Sequence, residues 1–121
     1  MARVLFIDDD PLTLETLTRA IQLYGHESLQ AVSGKAGLAL AAENSPDLIF
    51  MDMSLSDVGG LMLLQTLKSQ AATADIPVFV LSAGPETDYA EQVKQAGARD
   101  YISKPVRLQT LLDIIDEIAA K

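Results

Sequence analysis

The stretch VLFIDDDP, residues 4–11, sets four apolar side chains directly against three carboxylates and a proline. An unbroken apolar run, closed by charge and then by a residue suited to a first helical turn, reads as a buried strand leading straight into a helix. Asp10 is then a candidate N-cap, because its carboxylate can accept from the free N–H groups of that turn. Three acids at the end of a buried strand repel one another, so the stretch also asks what compensates them.

The same alternation continues outward from it. Val4–Ile7, Ser28–Val32, Leu48–Met51, Pro77–Leu81 and Tyr101–Ile102 read as strands. Leu14, Leu17, Ile21 and Tyr24 recur at helical spacing, as do Leu61, Leu64 and Leu67, and again Leu108, Leu111, Leu112, Ile115 and Ile118. An Ala-rich segment from Gly34 to Glu43 and a weaker one from Thr87 to Gln95 complete five helices. Gly25 and Gly97 stand where helix C-termini call for a positive φ. Strict strand–helix alternation implies an α/β fold, a doubly wound parallel sheet with helices on both faces. Strands 1, 3 and 4 are apolar without a break, as strands covered on both faces should be, whereas Ser28–Val32 partly alternates and suits an edge. The expected order is 2-1-3-4-5, flavodoxin-like, in a single domain spanning residues 1–121. Ligands of such sheets sit outside the carboxyl ends of the strands, where the winding reverses.

Composition narrows the possible functions. The chain has 121 residues, 49% of them hydrophobic, enough for one core. It has no cysteine, which excludes disulfides and thiolate metal sites, so any metal chemistry must use oxygen ligands. A net charge of -8 and a pI near 4.4, with nine scattered basic residues, argue against direct contact with nucleic acid or an anionic membrane. The N-terminal apolar run is too short for a signal peptide, and no run reaches the length of a membrane span, so the expected location is cytoplasmic.

The polar strand ends converge on one edge. Strand 1 ends in Asp8, Asp9 and Asp10, strand 3 in Asp52, strand 4 in Ser82-Ala83, and strand 5 is followed by Ser103-Lys104-Pro105. Clustered carboxylates with only oxygen ligands on offer favour Mg²⁺ as the compensating cation. Lys104 adds a mobile positive charge suited to a phosphoryl oxygen, and the Ser82 hydroxyl adds a donor. This inventory handles phosphoryl groups.

The order and spacing of Asp8-Asp9, Asp52, Ser82-Ala83 and Lys104-Pro105 resemble the receiver domain of two-component response regulators over nearly the whole chain. The resemblance implies that Asp52 is the phosphoacceptor, that Asp8, Asp9, Asp52 and the Ser54 backbone carbonyl hold Mg²⁺, and that Ser82 and Lys104 contact the phosphoryl oxygens. It further implies a cis Lys104–Pro105 bond and Tyr101 as an aromatic that changes rotamer on activation. Implied partners are a histidine kinase or phosphotransfer protein and a downstream effector or output domain, with a phosphorylation-dependent homodimer possible. Three features depart from the family pattern, one of them Gly59 in place of the acid that commonly precedes the following glycine. Ser56 stands where members commonly carry proline, which would leave the loop after Asp52 looser, and Arg107 replaces the usual small or acidic cap of the last helix.

Other readings compete for the same residues. Asp52 could equally be a strand-terminating turn residue, and Asp57, five positions on, is a rival phosphoacceptor. FIDDDPLT also resembles the strand-end motif of haloacid-dehalogenase-type Mg²⁺ phosphatases, with Asp8 as nucleophile and Asp10 as acid/base, although Leu12 replaces that motif's Thr or Val. A third reading is a receiver that only docks partners and is never phosphorylated. His26, in a turn without a partner histidine, is expected to be inert, and Ile114, off the main stripe of its helix, could face a partner. The segment opened by Gly84-Pro85, with a helix offering chiefly Ala90, Val93 and Ala96 to the core, is the expected moving part.

Overall fold

The computed structural model describes residues 1–83 and 86–120, and in it every strand leads into one helix. The elements are β1 (Arg3–Ile7), α1 (Pro11–Gln22), β2 (Glu27–Ala31), α2 (Gly34–Asn44), β3 (Leu48–Asp52), α3 (Gly60–Ser69), β4 (Val78–Ser82), α4 (Glu86–Gln95), β5 (Asp100–Ser103) and α5 (Leu108–Ala119). The strands form one parallel sheet in the order β2-β1-β3-β4-β5, as the sequence pattern implied. Gly84 and Pro85, expected to open the moving segment, lie outside the described residues.

Side chains alternate across the pleat, so each apolar strand feeds two cores. Leu5, Ile7, Ile49, Met51, Val78 and Val80 join Leu63, Leu64 and Leu67 of α3 and Val93 of α4 on one face. Val4, Phe6, Leu48, Phe50, Phe79 and Leu81 join Leu14 and Ile21 of α1 and Leu111 and Ile115 of α5 on the other. The register pairs Phe6 with Phe50 and Phe50 with Phe79, which stacks three rings at centroid distances of 5.5 and 5.4 Å. It also pairs Ile7 with Met51, Asp52 with Leu81, and Ser82 with Ser103. The polar residues of four strand ends therefore emerge side by side.

Turn and cap chemistry follows the sequence closely. Asp10 caps α1 by accepting from the Leu12 N–H at 3.2 Å, with Pro11 as the first helical residue. Gly25 and Gly97 have φ of 85° and 110°. Lys104–Pro105 is cis, and Arg107 precedes α5 without a side-chain capping bond.

Some expectations need correction. β2 stops at Ala31 and leaves Val32 exposed, and Tyr24 lies past the end of α1 on the surface instead of on its buried stripe. In α3 the buried stripe is Leu63, Leu64 and Leu67, with Leu61 only partly covered, and Leu108 at the open first turn of α5 is exposed. β3 and β4 each run one residue further than the apolar pattern suggested, because the ladder continues through the Met53 N–H to the Leu81 carbonyl and the Lys104 N–H to the Ser82 carbonyl. α2 ends on Ser45 in the left-handed region, φ 46°, a conformation that no glycine advertised. His26 is buried, not an idle turn residue. Its Nδ1 accepts from the Ala2 N–H at 3.2 Å and its Nε2 lies 3.4 Å from the Asp116 carboxylate, which joins the start of β1 to α5. Ile114 is partly buried, packed against the α1/α5 core.

Truncating the central ring of the stack tests this packing. Phe50→Ala is expected to lower the unfolding free energy by about 3–5 kcal/mol, read from urea denaturation followed by circular dichroism, because it removes a fully buried ring from between two others.

Candidate functional site

The ends of β1 and β3 bring the acidic residues together. β1 delivers Asp8 buried and Asp9 exposed, one residue apart and therefore on opposite sides of the chain. β3 delivers Asp52, 8% exposed, as its last residue. One carboxylate oxygen from each of Asp8, Asp9 and Asp52 lies within 4.8 Å of the others. Lys104, carried past the end of β5, places Nζ 3.4 Å from an Asp8 oxygen and 3.4 Å from Asp52 Oδ1. Its side chain is 28% exposed, so the ammonium reaches the buried pair from a partly wet position.

Backbone donors hold the carboxylates in place. The Asp10 N–H donates to Asp8 Oδ1 at 3.0 Å, and the Ser54 N–H donates to Asp52 Oδ1 at 3.3 Å. Ser82 is buried at the end of β4, beside β5 through its register partner Ser103. Three carboxylates against a single ammonium leave two excess negative charges in a mostly buried site. The donors are all hard oxygens, and they are close enough to share one small divalent cation. This donor set fits Mg²⁺, with Asp8, Asp9 and Asp52 offering carboxylate oxygens.

The two other acids near the site are already engaged. Asp10 receives the Thr13 hydroxyl at 2.6 Å as well as the Leu12 N–H. The Thr13 bond is the main cause that holds the Asp10 carboxyl below the usual carboxylate range. An acid/base for a dehalogenase-type phosphatase needs a carboxyl that keeps its proton near neutrality, so the Asp10 environment opposes that role. Asp57 is bound across space to α2. Its two oxygens accept from the Gly34 N–H at 2.8 Å and the Lys35 N–H at 3.1 Å, and these bonds, the Gly34 bond foremost, pull its carboxyl down as well. The rival acceptor of the sequence is thus a helix tether. Sequence reading missed this role, and the only available signal was that the first turn of α2 contains no acid of its own.

Tyr101, expected to move, is 4% exposed, and its ring belongs to the core on the α3/α4 face. Its hydroxyl is buried without a hydrogen-bond partner among the described residues. Beside Lys104 an apolar groove of about 580 Å³ runs between α1 and the β5–α5 connection, lined by Leu12, Leu17, Pro105 and Val106 among others. Leu12 there is 69% exposed. Among the described residues, no helix is long and apolar enough to cross a membrane.

Comparison with known proteins agrees with this geometry. The family profile of the response regulator receiver domain matches residues 4–116. Protein PilH of Pseudomonas aeruginosa is 36% identical over 120 residues, covering 99% of this chain and 99% of its own. The polar-differentiation response regulator DivK of Brucella ovis is 33% identical over 112 residues, 93% of this chain and 91% of its own. The solved receiver domain of the Francisella response regulator 1452 superposes with a TM-score of 0.91 at 27% identity, covering 99% of this chain and 98% of the other.

The lowered carboxyls of Asp10 and Asp57 predict a pH dependence. Each folded value lies below the ordinary one of about 3.9, so each contributes stability that is fully present above about pH 4 and is lost as the pH falls through the folded value. In urea midpoints measured from pH 6 down to pH 2.5, the Asp10→Asn/Asp57→Asn double variant should lose less stability on acidification than the wild type.

Proposed function

Because the chain belongs to the response regulator receiver domain family, a family of regulatory signalling domains, we propose that it is a phosphorylation switch in which Asp52 is the acceptor and Asp8, Asp9, Asp52 and the Ser54 carbonyl hold Mg²⁺. The observation that supports this most directly is Lys104 Nζ standing 3.4 Å from both Asp8 and Asp52 beside a three-carboxylate cluster. In the transfer, an Asp52 carboxylate oxygen bonds to phosphorus as the P–N bond to a donor imidazole breaks. The electron pair leaves with the nitrogen, which takes up a proton. Bound Mg²⁺ would draw charge from the transferring phosphoryl oxygens. Lys104 would then exchange its Asp52 contact for a phosphoryl oxygen, and the Ser82 hydroxyl would donate to another. Hydrolysis reverses the mark when a water oxygen attacks phosphorus and the Asp52 carboxylate departs. The domain thereby acts only on its own modification and turns over no external substrate of its own.

The phosphodonor would be a histidine kinase or phosphotransfer protein. Its histidine must approach the carboxyl edge of the sheet, and the apolar groove beside Lys104, with Leu12 exposed at its mouth, is a surface on which such a partner can bury area. The reader would be a downstream effector, an output domain or a second copy of the chain, and the cellular setting would be the cytoplasm. The switch itself would run through β4, α4 and β5. Tyr101 is the aromatic expected to change rotamer, and since its ring is already inside the core in this structure, rotamer exchange there would begin from an inward ring.

Two measurements test this reading. A small phosphodonor with Mg²⁺ should label the wild type at Asp52, Asp52→Asn should take no stable label, and Asp9→Ala should lose most labelling. Full labelling of Asp52→Asn at Asp57 would refute the assignment. Hydrogen exchange with and without a beryllofluoride mimic should show changes at the end of β4, in α4 and around Tyr101, and changes confined to residues 8–10 and 52–60 would remove the proposed route of transmission.

A further inference from the structure

The loop of residues 53–59 joins Asp52 to α3 and carries Ser54, and it is held from outside itself. It lacks the stiffening proline at Ser56, and Gly59 contributes no side chain. Within the loop Leu55 alone is buried in the core. Two residues beyond Leu55, both oxygens of Asp57 accept backbone N–H groups of α2, from Gly34 and Lys35. Ser33 takes the next donor of that helix, the Ala36 N–H at 3.1 Å, so the first three N–H groups of α2 are shared between its own cap and a residue of a different loop. Charge reinforces the arrangement, because a carboxylate at a helix N-terminus is favoured and α2 has no acid in its first turn. The contact is also close in the apolar sense. A Cβ at Gly34 would stand 3.1 Å from Val58 Cβ and 3.3 Å from Asp57 Oδ1.

We infer that Asp57 is a positioning residue for the metal site, fixing the loop that presents Ser54 so that its carbonyl is placed before the cation arrives. The inference rests on the Mg²⁺ reading proposed above. Met53 is tied to Leu81 and Leu55 is buried, while beyond Leu55 the loop is held by the Asp57 hydrogen bonds and the partly buried Val58; freed at Asp57, its second half is left with Val58 and the glycine pair 59–60. Ordering the Ser54 carbonyl would then be charged against cation binding.

Isothermal titration of the full chain with MgCl₂ tests the idea. Asp57→Ala should weaken Mg²⁺ binding by about tenfold, the scale of removing a group that orients a metal ligand. Asp57→Asn, which can still accept one N–H, should recover part of the loss. Gly34→Ala, which presses on the same loop from the α2 side while leaving Asp57 in place, should weaken binding in the same direction and serves if Asp57→Ala does not fold. Ser33→Ala removes a cap of the same helix without touching the loop, so it should lower the melting temperature yet leave Mg²⁺ affinity within twofold. Wild-type affinity in Asp57→Ala, or an equal loss in Ser33→Ala, would overturn the inference. A wild-type chain that binds no Mg²⁺ would instead overturn the metal reading on which it rests.

Discussion

Like-charge repulsion at the carboxyl edge of the sheet is the constraint around which this protein is built. Three carboxylate oxygens from Asp8, Asp9 and Asp52 lie within 4.8 Å of one another, and at an effective dielectric of 20 unit charges at that separation repel by about 3.5 kcal/mol. A chain that only had to fold could avoid this by turning one acid away. Here the register forbids it: Asp8 follows Ile7, which is paired to Met51, the residue before Asp52. The unbroken apolar strands beneath supply the compensating free energy, since each fully buried Leu, Ile or Phe contributes about 1.5–3 kcal/mol. The site is thus a strained edge on an over-supported core, and its repulsion is relieved by whatever cation enters.

Lys104 offsets part of that repulsion, as an ammonium paired with two of the three carboxylates. Its ammonium sits at one distance from Asp8 and from Asp52, and it arrives from β5, three strands away from β1 in the sheet. That placement couples the charge state of the acids to the position of the β5–α5 connection, which also borders the apolar groove. A group that relieved the acids directly would release Lys104 for another oxygen, so the same side chain can serve the empty and the loaded site.

The elements carrying strong apolar runs were legible from sequence. β1, β3 and β4 are buried on both faces, and nothing but a central parallel strand suits four or five consecutive apolar residues of that length. From their ends alone, Asp8, Asp9, Asp52, Ser82 and Lys104 could be gathered at one edge. What escaped was whatever depends on contacts between distant segments. Tyr24 matched a helical period that Gly25 had already ended, and His26 looked idle because Ala2 and Asp116, the groups it meets, stand 24 and 90 positions away. Asp57 resembled a rival acceptor because its partners, Gly34 and Lys35, lie on a helix that precedes it by more than twenty residues.

That last case bears on how a receiver sequence can lose a stiffening residue without losing a rigid site. A proline narrows the loop's conformations in the unfolded and folded states alike, through the backbone itself. Asp57 achieves rigidity only in the folded state, through two charge-assisted hydrogen bonds to a neighbouring helix. The second device ties the loop's order to the position of α2, whose Gly37 approaches Ile7 so closely that a Cβ there would fall 2.5 Å from the Ile7 side chain. Ile7 immediately precedes Asp8. Loop, helix and strand therefore form one closed circuit around the clustered carboxylates, so α2 helps to set the spacing of the acids although none of its own side chains is among them.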